Sequence, residues 1–440
     1  MNPLSLLSER KGFLLCMSLC TLVACTKVPQ KIVTAKFKSP DTLCNTVTLN
    51  LVNLSENATK YHWSFAQGST DSSLTATNLS LPAGAIYRPV FSDYVKINDE
   101  YVMFVVNNGN GSITRLDFGT SLLNNSPVAT YLGSLGAIQV QNEGFQIINA
   151  NGNWYGLLVG GDLQYGTTPQ VYKINFGTNL KNINPEVSTY PFSEFAQPID
   201  LFAFTESSNW YGFTVNAENN TMARINFSSN LSNAPSVTTL SNITTLNYPT
   251  GICTFYDNSK WYAFITDGKT SKAGNITRLD FGTSLLSTPI VTQLGNVGNK
   301  MSKPRDMVVM RSGSRLLGYV VNADSSLLQL DFNGNIQNVP TVTKDYGDLD
   351  GKLKFPHAFS KIFTVDGDLY SFVPNVTAST LTRIKFPNYL VNTVPPTSTD
   401  KDPVITGYIK PGVYNICLTV DMGQPTEASY CKQITVVDCK

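Results

Sequence analysis

Hydrophobic positions along this chain fall into short runs rather than helical stripes, and the runs recur. One run is apolar on both alternating faces and closes on a polar residue or a glycine: Tyr101-Val-Met-Phe-Val-Val106 before Asn107, then Trp154–Gly161, Trp210–Ala217, Trp261–Gly268, Leu316–Ala323 and Leu369–Val376. A strand apolar on both faces must be covered on both sides. The next run alternates, as in Ile113-Thr-Arg-Leu-Asp-Phe118, with Thr114, Leu116 and Phe118 on one face and Ile113, Arg115 and Asp117 on the other. That pattern predicts a more peripheral strand with one wetter face. A hydrophobic run precedes each such pair and a Thr/Val-rich run follows it. No segment sustains a helical period, so the chain reads as all-β.

The closing phenylalanines of the third run are Phe118, Phe176, Phe227, Phe281, Phe332 and Phe386, spaced by 58, 51, 54, 51 and 54 residues. Four short strands repeated at a period near fifty resemble the blades of a β-propeller. Six such units predict a six-bladed propeller over residues 73–400. The sixth unit ends in Pro395-Pro396 without a good fourth strand. The stretch Ser73–Ser80 resembles the fourth strands elsewhere, so the N-terminal strand is expected to complete the last blade and remove an open edge.

The flanks read as one domain cut in two, over 41–72 and 401–440. Val47–Leu51, Trp63-Ser-Phe65 with Gly68, Lys410-Pro-Gly-Val-Tyr414, Leu418–Val420 and Ile434–Val436 resemble a PKD domain, an immunoglobulin-like sandwich. The resemblance implies a propeller inserted into a PKD-like β-sandwich. The family's aspartate in the turn after the tryptophan strand is missing in Trp63-Ser-Phe-Ala-Gln-Gly68, so no calcium contact carries over. Cys417 and Cys431 sit at mirror positions about Gln424 and are expected to bond across a hairpin, leaving Cys44 with Cys439. Cys253, in an apolar strand, is expected as a buried thiol.

At the N-terminus, Arg10 and Lys11 precede an apolar run from Gly12 to Ala24 that is too short to span a bilayer. Leu22-Val23-Ala24-Cys25 resembles a bacterial lipobox, which implies cleavage of residues 1–24 and a diacylglycerol on Cys25. Residues 25–40 read as a tether. Thr26, in place of an aspartate, points to the outer membrane.

Charged residues make up only 14% and net charge is +1, so nothing here forms an electrostatic footprint for nucleic acid. With His62 and His357 as the only histidines, no histidine-rich metal site and no cofactor are expected. The basic series Arg115, Lys173, Arg224, Arg278 and Arg383, with Gln329, reads as local pairing with the Asp or Asn two residues on, or as a hydrogen-bonded blade edge, rather than as a ring for polyanions. The Trp-Tyr pairs starting at Trp154, Trp210 and Trp261 read as blade packing.

Loops after the second strands and connections entering each blade share one face in a propeller. They bring together Arg88, Asn107, Glu143, Asp200, Asn216, Asp267, Arg305, Asp306, Asn322 and His357 as a candidate ligand-binding face. No GxSxG, HExxH or phosphate loop is present. The expectation is therefore an envelope lipoprotein that binds or scaffolds a glycan or a protein rather than catalysing. A propeller hydrolase or lyase using the central funnel, and a structural subunit of a secretion or motility assembly, are the alternatives.

Overall fold

The computed structural model describes residues 32–65, 73–270, 273–312, 315–365, 368–389, 392–424 and 426–439. The lipobox, Cys25 and Gly68 lie outside the described residues. Six four-stranded antiparallel sheets follow one another as blades. Blade 1 comprises Pro89–Ile97, Glu100–Asn107, Ser112–Gly119 and Val128–Gly133, from the axis outward. Blades 2 to 5 repeat that order, opening at Asn142, Pro198, Pro249 and Pro304. Blade 6 has a short first strand, Phe363–Val365, followed by Asp368–Asn375 and Thr380–Lys385. Its fourth strand is Thr75–Asn78, in register Thr382↔Asn78 through Lys385↔Thr75. The N-terminal strand thus closes the ring, as the missing fourth strand at 395–400 implies.

The doubly apolar runs are the buried second strands: Val102 through Val106 are fully covered. Their side chains fill the space between adjacent sheets, where Phe104 meets Phe176 at 5.1 Å and Phe213 meets Phe281 at 5.4 Å between ring centres. The Trp-Tyr pairs take part in this packing, with Tyr155, Tyr211 and Tyr262 buried.

The third strands are more covered than their alternation predicts, because the basic residue reaches across to the next blade. Arg115 does pair with Asp117, at 3.1 Å, but its Nη1 also donates to the Lys181 carbonyl of blade 2. Lys173 donates to the Ser232 and Asn233 carbonyls, Arg224 to that of Leu286, Arg278 to that of Ile336, and Arg383 to that of Leu122 in blade 1. The expected local pairs are mostly bridges between blades. Gln329 departs from the series and bonds within its own blade, to Tyr319 and Thr343.

Both chain ends meet outside the ring. Thr42–Cys44, Ala428–Val437, Gly412–Val420, Tyr61–Phe65 and Thr397–Ser398 form one five-stranded sheet. Phe37–Lys38 pairs with Val52–Asn53 and Leu49–Asn50 with Val404–Ile405. These pieces share a core around Trp63, with Phe37, Tyr414, Leu418 and Ile434. The last part of the expected tether is therefore structured: Phe37 packs edge-on against Trp63 at 5.0 Å. Cys417–Cys431 and Cys44–Cys439 are bonded, while Cys253 is half-buried and free.

Candidate functional site

Each blade has a residue at one equivalent opening position: Val90, Glu143, Ile199, Thr250 and Arg305, second in their strands, and His357, in the segment ahead of the short first strand of blade 6. Five of the six residues before them are prolines, and Asn142 is the sixth. A break in strand register falls here. The ladder skips from Pro89 to Phe91, from Asn142 to Phe145, from Pro249 to Gly251 and from Pro304 to Asp306. A bulge leaves its extra residue unpaired and re-aims the side chain. Val90, Glu143 and Arg305 are thereby turned towards the mouth of the channel, where His357 joins them.

The mouth is a cavity of about 650 Å³. Glu143, Asp162, Arg305 and His357 line it together with Arg88, Lys269 and the rings of Tyr87, Tyr165, Tyr248 and Phe355. Asn108 donates from Nδ2 to Glu143 Oε1 at 2.9 Å. Glu143 Oε2 lies 3.4 Å from His357 Nε2 and is buried without a hydrogen-bond partner. Burial holds the Glu143 carboxyl up at about 8, despite the opposing pull of Arg305. It is thus a neutral acid at pH 7. Its Oε1 accepts from Asn108, so the proton sits on Oε2.

His357 is held neutral, its pKa pushed well down by burial and by the adjacent Arg305. Its Nε2 accepts from Arg305 Nη2, which assigns the ring proton to Nδ1. Asp162, preceding the short turn Leu163–Tyr165, accepts the Gln164 N–H at 2.8 Å. Among the described residues no side chain bonds to its other carboxylate oxygen.

Four of the ten residues expected on the ligand face are in this cavity: Arg88, Glu143, Arg305 and His357. The other six are not, for two reasons. Asn107, Asn216, Asp267 and Asn322 close the second strands and turn inward to fasten the next turn. Asn107, for example, accepts the Tyr87 N–H and donates to Ser112 and Thr114. Asn216 donates to Thr221, Asn322 to Ser326, and Asp267 accepts from Asn275. From the loops that follow the second strands, Asn108, Asp162, Glu218 and Lys269 are the ones that reach the cavity.

Asp200 and Asp306 stand one residue further along and line the channel instead; Asp306 has rejoined the ladder, whereas in blade 3 the ladder skips from Ile199 to Phe202 and leaves Asp200 unpaired. Each takes its own following N–H and one from the next blade: Asp200 from Leu201 and Ile252, Asp306 from Met307 and Phe359. With Asp93 they line a separate cavity of about 300 Å³. Asp162, Asn108 and the four rings went unrecognised as a set. The signal was available in the offset from each blade-opening proline, which separates the mouth from the channel.

No protein-family model and no curated protein sequence matches the chain. Solved structures of similar fold include the GH93 α-L-arabinofuranosidase of Fusarium graminearum, 10% identical, with a TM-score of 0.46 over 72% of this chain and 98% of that one. The major Malassezia sympodialis allergen Mala s 1 is 13% identical, with a TM-score of 0.42 over 68% and 92% of the two chains. A thermostable family-43 glycoside hydrolase is 14% identical, with a TM-score of 0.39 over 61% and 96%. At such identities the likeness speaks to the fold. Against the expectation of a chain that does not catalyse, several of the solved structures of similar fold are glycoside hydrolases.

Proposed function

We propose that the chain is a propeller-type hydrolase that cleaves a glycan in the cavity at the channel mouth. The observation that carries this reading is the neutral Glu143 carboxyl beside a second carboxylate, Asp162, in one cavity. Glycoside cleavage commonly needs one carboxyl as proton donor and another as base or nucleophile. Burial gives Glu143 the first role, since an acid with a pKa near 8 holds its proton at neutral pH yet can release it to a developing alkoxide. Oε2 is covered, so delivery requires rotation about the broad terminal torsion of the side chain. Asp162, with one oxygen unengaged, takes the second role. Tyr87 and Tyr165, both strongly exposed, offer flat faces at the rim for sugar rings.

The lipobox at Cys25 supports placing this activity at the outer membrane, where two acyl chains give lasting attachment. The Trp63 and Tyr414 motifs support a PKD-like stalk. Labelled palmitate incorporated by the native chain and lost in C25A is the expected result for the anchor.

Release of reducing ends from a panel of plant and microbial polysaccharides tests the activity. We expect cleavage of at least one member. In E143Q the rate should fall by about 10² to 10⁴, the usual worth of a general acid. Cleavage that E143Q leaves untouched, or none from any polysaccharide, rules the reading out.

A further inference from the structure

We infer that the glycan held in this cavity is acidic, and that Arg305 receives the carboxylate of a uronic acid unit. This rests on the reading of the cavity as a glycan-cleaving site and names its substrate class. The starting point is how differently this chain treats its other covered arginines. Arg115 pairs with Asp117, Arg311 with Asp257 at 2.7 Å and Arg315 with Asp331 at 2.6 Å. Arg224, Arg278 and Arg383 donate to backbone carbonyls of the neighbouring blade. Arg305 has neither kind of partner. Among the described residues no carboxylate lies within ion-pair distance of it, and its Nε is buried without an acceptor.

Its position is nonetheless fixed. Nη2 donates to His357, whose ring packs on Phe91 at 5.5 Å, and the guanidinium carbon lies 5.6 Å from the centre of the Phe355 ring. Arg305 is half-buried, and a cation partly withdrawn from water with no counter-charge is costly and ordinarily paired. Here the nearest candidate, Glu143, is a neutral acid at pH 7 and supplies no charge. The cavity therefore presents a held, partly desolvated guanidinium whose covered Nε has no acceptor in the fold, so a small rotation of the side chain would offer that donor to a ligand. A planar fork of N–H donors matches a carboxylate better than it matches a hydroxyl.

Around Arg305 the cavity sets Arg88 and Lys269 against Asp162 and Glu218, so Arg305 is the cation left over. The Arg88 side chain has no carboxylate partner among the described residues. Lys269 stands over Tyr248 at 4.7 Å and pairs with Glu218 at 3.1 Å. A cavity of about 650 Å³ with aromatic walls is larger than an inorganic anion needs and lies within the range of sites that enclose organic ligands. A sulfate ester on a sugar would meet the same positive charge, so the experiment separates the two.

The test is calorimetric titration of the full chain with four probes of equal length: oligogalacturonate, its methyl ester, a sulfated neutral oligosaccharide and a neutral xylo-oligosaccharide. Oligogalacturonate should bind at least tenfold more tightly than the methyl ester, a comparison that needs no variant. R305Q should lose that preference while R305K, which keeps the charge without the fork, retains part of it. Equal binding of acid and ester, tighter binding of the sulfated probe, or no binding of oligogalacturonate overturns the inference. Reducing-end release, followed in parallel, keeps the two readings apart. Arg305-dependent binding without cleavage sinks the hydrolase alone, and cleavage of neutral glycans without acid preference sinks the acidic substrate alone.

Discussion

Asp306 and Arg305 are consecutive residues on one strand, yet their surroundings differ in kind. Both oxygens of Asp306 accept backbone N–H groups at 2.7 Å, and Asp200 does the same two blades earlier. One residue back, at the channel mouth, Arg305 Nε, Glu143 Oε2 and His357 Nδ1 are all buried without partners. Native proteins leave few buried polar atoms unsatisfied, and those that remain call for an explanation. The channel carboxylates hold blades together; the mouth has hydrogen-bonding capacity left over for a ligand. Position in a bulge decides which role a residue has, because stepping one place along a strand reverses the direction of its side chain.

The sharpest way to break this contrast is to delete one member from each level. D306A removes the acceptor of two buried N–H groups, and each orphaned donor costs roughly 1–3 kcal/mol. We expect a loss of about 2–4 kcal/mol in denaturant unfolding. E143Q keeps an acceptor for Asn108 and, having no proton to lose, should not destabilise the chain at pH 6 while abolishing most cleavage. If E143Q destabilises as much as D306A does, the mouth is a structural network and the contrast fails.

Gly144 offers a smaller, more local test, because it joins the two levels. It follows Glu143, and a Cβ there would lie 2.2 Å from the Asp200 carbonyl carbon and 2.3 Å from the Leu201 nitrogen. The backbones of blades 2 and 3 approach so closely only because this position has no side chain. G144A should cost about 1–3 kcal/mol, typical of overpacking, and should also lower cleavage by shifting Glu143. A thermal melt matching the native chain would show that the approach tolerates more than the geometry implies.

Much of this molecule was legible from period and pattern. The spacing of the Phe118–Phe386 series gave the blades, and the strandless Pro395-Pro396 end with its counterpart at Ser73 gave the closure. The mirror placement of Cys417 and Cys431 gave a disulfide. The candidate site was only partly legible. Asn107, Asn216 and Asn322 have the composition of ligand-binding loops, but their side chains satisfy turns, a use that composition alone does not distinguish. Asp200 and Asp306 were misplaced because a register skip of one residue is invisible in a sequence read strand by strand. Arg115 and its counterparts pointed to local pairs because sequence shows neighbours along the strand and not those across the gap between blades.

The mouth and the channel should also differ in how they respond to pH, and this is the smallest effect. Glu143 at about 8, Asp200 at about 7 and Asp306, well above its ordinary value, all hold protons in the folded chain that the unfolded chain has released. In each case burial is the largest cause, and for Asp306 the neighbouring Asp200 charge adds to it. A carboxyl raised on folding contributes stability that is complete below its unfolded pKa, near 4, and is lost as pH climbs through its folded value. Stability should therefore decline from about pH 5 to pH 8. His357, held neutral, acts in the opposite direction and lowers stability as pH falls below about 6.5. Each of the three steepens the decline from its unfolded pKa up to its folded value, and Glu143 continues to do so up to about pH 8. Between pH 7 and 8 a single group with a folded pKa of 8 accounts for about 1 kcal/mol. E143Q should remove that segment and also flatten the decline between about pH 5 and 7, where Glu143 holds one proton more in the folded chain than in the unfolded one. An unaltered slope in E143Q would mean that the channel pair alone titrates there, and that Glu143 is already ionised at pH 7 and cannot serve as the acid.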